Sequence, residues 1–195
     1  MTTNLELLLD YCNRGLITNK KKYQNQDIWL KIIDLTLEIS DVFSVANGKK
    51  PLAALDFSAY GISKLRKRNK ELINQIIDFS NQKGVKALHN KKKGGMYLKT
   101  IFYLEENYQK ALNLMGILWY ANKDCKSLID YHVMTGLSLG YDEDNIQYFI
   151  KQNCNNDIDM SKINEIKNKL EVMKVTLEDL NKIHDIVVLD TIKNI

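Results

Sequence analysis

One proline, Pro51, stands in 195 residues. Proline breaks helix interiors, so a chain with almost none is free to build helices along most of its length. Cysteine is also scarce: Cys12, Cys125 and Cys154 lie far apart, and no Cys-x-x-Cys pair occurs. That spacing argues against a disulfide framework or a zinc knuckle and leaves reduced thiols in a reducing cytosol as the expectation. No stretch approaches about 18 uncharged apolar residues, so no membrane span is expected. The opening Met1-Thr2-Thr3-Asn4-Leu5-Glu6 lacks the basic-then-apolar order of a secretory signal, and the expected location is cytoplasmic. Strand-like alternation of useful length and internal repeats are missing as well.

What the chain does have is apolar residues at alternating four- and three-residue steps. Three stretches show it: Ile28, Ile32, Leu35, Ile39, Val42, Ala46; Tyr97, Ile101, Leu104, Tyr108, Ala111, Met115, Leu118; and Ile163, Ile166, Leu170, Met173, Leu177, Leu180, with Val187 one heptad further. A helix puts residues so spaced on one face. The middle stretch becomes apolar all round at Ala111–Ala121, which places it among other elements rather than at the surface. The spacing predicts an all-α fold: one irregular bundle of about seven or eight helices around a central helix over 96–122. The whole chain, 1–195, is read as one domain, with a subdomain boundary expected near 84–95. Leu52-Ala53-Ala54-Leu55 reads as a short helix. Asp142-Glu143-Asp144 reads as a helix start after a break at Gly140-Tyr141, and Thr176 as the start of a further helix.

Chemistry-bearing residues are few. Asp130-Tyr131-His132 is the best acid–base candidate, mid-helix and near the Gly140-Tyr141 break; with Asp142 and Asp144 close by in sequence it suggests a hydrolase site. His184-Asp185 matches the dyad of helical metal phosphohydrolases only as a dipeptide, and His184 falls on an apolar seam. His89 reads as a solvated loop residue. Asp142-x-Asp144 and Asp157-x-Asp159 fail the calcium-loop spacing, since neither has glycine at position six and glutamate at position twelve. Helix capping accounts for both. Neither a metal site nor a cofactor is expected.

The net charge of +4 conceals an asymmetry: residues 1–99 carry 18 Lys/Arg against 9 Asp/Glu, and residues 100–195 carry 10 against 15. Lys64, Arg66, Lys67, Arg68, Lys70, Lys91, Lys92 and Lys93 are the densest cations and are candidates for contact with nucleic-acid phosphates. A lysine-rich solvated surface, in the Asn/Lys-heavy chain of an AT-rich viral or microbial genome, is the competing explanation and the favoured one. The expectation is a small intracellular binding or regulatory protein without catalytic activity. It would act on a protein partner, with nucleic acid through the basic half. Self-association through 163–187 is the expected oligomer contact, and the Asp130/His132 hydrolase is the alternative.

Overall fold

A computed structural model describes residues 41–57, 78–90, 98–120, 125–182 and 185–192. Four strands form its centre: β1 (Leu52–Phe57), β2 (Lys86–Asn90), β3 (Leu98–Tyr103) and β4 (Ile186–Leu189). Their order across the sheet is β1-β3-β2-β4, and every neighbouring pair is antiparallel. Five helices follow β3: α1 (Tyr108–Tyr120), α2 (Cys125–Ser138), α3 (Glu143–Cys154), α4 (Met160–Val172) and α5 (Leu177–Asn181). Residues 41–46 and 78–82 are helical too.

Both faces of the sheet are covered. Leu52, Leu88, Ile101, Tyr103 and Ile186 pack on one side with Ala111, Leu112, Leu114 and Met115 of α1 and Leu180 of α5. Ala53, Ala87 and Phe102 face the other way, against Val42, Val45 and Ala46 of the first helical segment, with Phe79 of the second beside them. Successive strand residues alternate between these two clusters, as the pleat requires. Fully burying one side chain of the size of Leu88 or Ile101 contributes roughly 1.5–3 kcal/mol, so the two layers hold the sheet strongly. A third cluster is purely helical: Val133 of α2, Ile146 and Ile150 of α3, and Ile163 and Ile166 of α4.

The fold is therefore mixed α/β, and the expected all-α bundle is overturned by this four-stranded sheet. The error has a physical source. A strand buried on both faces carries apolar residues with little alternation, and over a few residues it is indistinguishable from a buried helix turn. Ile101 and Leu104 belong to a strand and the turn after it, and the helix begins only at Tyr108. The expected 96–122 helix thus splits into β3, a 3-10 turn at Glu105–Asn107, and α1. Leu52-Ala53-Ala54-Leu55, read as a short helix, lies in β1, where Ala53 is fully buried. Val187, read as a continuation of the last seam, sits in β4, where Ile186, Val187 and Val188 are β-branched.

The punctuation came out where the sequence placed it. The last helical run divides at residues 173–176, and Thr176 starts α5 with a capping box in which Thr176 and Asp179 satisfy each other's backbone amides. Asp142 caps α3 and Asp159 caps α4. Ile163, Ile166 and Leu180 of the seam that suggested self-association are buried within the chain itself.

Candidate functional site

α2 and α3 meet across the tight turn at Gly140. Gly136 lies where they cross: a Cβ there would stand 2.9 Å from Ile146 Cγ1, so only glycine allows this approach. The turn is a Schellman cap, with Tyr141 N–H donating to the Gly136 carbonyl and Gly140 N–H to that of Leu137. The turn joins the C-terminal end of α2 to the N-terminal end of α3. Between them opens a cavity of about 510 Å³.

The lining of this cleft is aromatic and carries no fixed charge. His132 and Thr135 come from α2, Leu139 and Tyr141 from the turn, and Asn145, Tyr148, Phe149 and Asn153 from α3. The His132 ring lies 5.1 Å from Phe149 and 5.2 Å from Tyr131. Desolvation against these surroundings holds the His132 pKa below its ordinary value, so the neutral imidazole dominates. The Thr135 hydroxyl is buried with no hydrogen-bond partner among the described residues. On the other rim Tyr148 is 66% exposed and Phe149 45%. For Tyr148 the exposure follows from helical phase. Ile146 and Ile150, four apart, occupy the buried face, and Tyr148 falls roughly opposite them.

The carboxylates proposed for a hydrolase do not converge here. Asp130 faces Lys162, with an Oδ1 to Nζ distance of 3.7 Å. Asp142 accepts the Asn145 N–H at 2.8 Å and the Asn145 side-chain amide at 2.7 Å, as a helix cap does. Asp144 lies outside the cleft and lines a second cavity, of about 330 Å³, with Gln147, Tyr148, Lys151, Asp157 and Ile158. Among the described residues no three of His, Cys, Asp and Glu are grouped so as to hold a metal ion.

Other sequence candidates fall elsewhere. His89 is a strand residue, contrary to the loop reading, and its Nδ1 is 2.8 Å from Thr100 Oγ1 across the β2–β3 ladder. Lys64, Arg66, Lys67, Arg68, Lys70, Lys91, Lys92, Lys93 and His184 lie outside the described residues. No helix among the described residues is long and apolar enough to cross a membrane.

Sequence reasoning singled out His132 but missed Tyr148 and Phe149. A signal was present for Tyr148, which falls opposite the Ile146–Ile150 stripe, but Phe149, three residues after Ile146, shares the side of that stripe and reads as core. Compared with protein-family models, with curated proteins and with solved structures, the chain matches none.

Proposed function

We propose that this is a binding protein without catalytic activity, and that it holds a protein partner through the cleft between α2 and α3. The observation that carries this reading is the cleft's composition: an open cavity walled by His132, Tyr141, Tyr148 and Phe149 with no carboxylate in its lining. Exposed aromatics in a concave, uncharged setting are the usual anchors of protein recognition, since they bury much area at little conformational cost. A neutral His132 suits that environment as a hydrogen-bonding rim residue. For a hydrolase it lacks a carboxylate to orient it, because Asp130 and Asp142 are engaged with Lys162 and Asn145.

Selection of a random peptide display library on the full-length protein tests the reading. The expected result is a set of peptides sharing an aromatic or aliphatic anchor. Their binding should fall at least about tenfold in Phe149→Ser and Tyr148→Ser, the scale of a lost interface anchor. Both substituted residues are exposed, so the variants should keep the far-ultraviolet circular dichroism of the parent. If the selected peptides bind Phe149→Ser and Tyr148→Ser undiminished, the cleft is not the binding site.

A further inference from the structure

Tyr148 is shared by two cavities of opposite character. It lines both the uncharged cleft and the smaller cavity bordered by Asp144, Asp157 and Lys151, so the two adjoin at this side chain. In the second cavity Lys151 is paired with Asp157 at 3.1 Å, and both side chains are largely exposed. Asp144 has no ion-pair partner among the described residues. Two carboxylates therefore border this cavity against one ammonium, and the excess charge is negative. A ligand that crosses Tyr148 leaves an apolar, neutral pocket and enters an acidic one.

We propose that the partner segment carries an apolar anchor and a lysine or arginine. The anchor occupies the cleft and the cation enters the cavity between Asp144 and Asp157. This rests on the cleft being a protein-binding site and adds the chemistry of its partner. An extended chain advances about 3.3 Å per residue, so two cavities that share one lining side chain are reached by positions about one to three residues apart. A long basic side chain covers that span while laying its methylenes along the Tyr148 ring. An acidic or neutral residue in the same place gains nothing from Asp144 and, if acidic, is repelled by it.

The test uses fluorescence anisotropy with three labelled versions of one selected anchor peptide, differing only in Lys, Gln or Glu at the flanking position. The Lys version should bind about three- to tenfold more tightly than the Gln version, and the Glu version more weakly, which is the range of partly exposed charge pairs. The Lys advantage should shrink in high salt. It should vanish in Asp144→Asn, which leaves the neutral Lys151–Asp157 pair, and reverse to favour Glu in Asp144→Lys. Equal affinity of the three peptides, all still dependent on Phe149, would overturn this inference and leave the binding cleft standing. Absence of any Phe149-dependent peptide would remove both.

Discussion

The side-chain amide of Asn113 in α1 serves as the hydrogen-bonding partner of the chain at Val175. Its Oδ1 accepts the Val175 N–H at 3.0 Å, and its Nδ2 donates to the carbonyl of Met173 at 2.8 Å. The extended linker between α4 and α5 has no strand or helix of its own to satisfy these groups, and one asparagine supplies both a donor and an acceptor. Gly116, one turn along α1, completes the seat, because a Cβ there would stand 3.1 Å from Val175 Cγ2. The same device recurs at Asn81, whose Oδ1 accepts the Ile192 N–H at 2.7 Å, and at Asn181, whose Oδ1 accepts that of Ile186 at 2.9 Å.

Asn113→Ala should therefore lower stability by about 2–3 kcal/mol, because it leaves two partly buried backbone groups of the linker unpaired. Gln109 also contacts this cluster, donating to Asn113 Oδ1 and to the Val175 carbonyl, but it is more exposed. Gln109→Ala should cost less than about 1 kcal/mol. Urea denaturation compares the two. Equal losses would mean that the amide of Asn113 does not hold the linker.

Gly140 meets two demands at once. Its φ is +83°, and a Cβ on it would lie 2.6 Å from Cδ of Pro51, the single proline of the chain. Gly84 has a similar φ of +74° with open space around it. Gly84→Ala should then cost about 1 kcal/mol for the left-handed backbone alone. Gly140→Ala should add a steric cost of about 1–3 kcal/mol, since ring and turn must separate. A thermal melt that ranks the two variants equally would show that the Pro51 contact yields without penalty.

These elements also mark what the sequence could and could not reveal. Gly48, Gly84 and Gly140 each close a helix with a left-handed residue, and Asp142, Asp159 and Thr176 each open one, because caps and turns depend on local chemistry. The sheet was illegible for the converse reason. Its stability comes from contacts between residues far apart in sequence, such as Ala54 opposite Ile101 and Leu88 opposite Val188. Burial on both faces also erased the alternation that would have identified the strands. At the candidate site, His132 stood out by residue type. Tyr148 was legible from its place opposite Ile146 and Ile150, whereas Phe149, three residues from Ile146, reads as part of that buried stripe.

His132 gives the protein a predictable response to acid. Burial holds its folded-state pKa below the ordinary 6.5. The unfolded chain thus takes up a proton there at higher pH than the folded one does, and stability falls as pH drops below the unfolded value. Above that pH the residue is neutral in both states and contributes no such cost. Wild type should lose more stability than His132→Gln between about pH 7.5 and about pH 5. The imidazole resonance of His132 followed by NMR should titrate below 6.5. A midpoint above that value would show that a charged partner, and not desolvation, governs the residue.

Lys50 ties the sheet layer to the turn that shapes the cleft. Its Nζ lies 2.7 Å from Asp41 Oδ1, 3.3 Å from the Tyr141 hydroxyl and 4.3 Å from the centre of the Tyr141 ring. Burial by itself would lower the pKa of this ammonium, but its hydrogen bond to Asp41 and the adjacent negative charge outweigh that and raise it. Tyr141→Phe keeps the ring under the cation and loses one exposed hydrogen bond, a change of less than about 1 kcal/mol. Lys50→Met removes the cation and leaves the Asp41 carboxylate partly buried without it. That should cost about 1–3 kcal/mol. Because Tyr141 lines the cleft, Lys50→Met should also loosen the turn and weaken binding of the selected peptides, although Lys50 does not line the cavity. Full peptide affinity in a destabilised Lys50→Met protein would mean that the cleft is held by α2 and α3 alone, with Gly136 and Ile146 sufficient to set its shape.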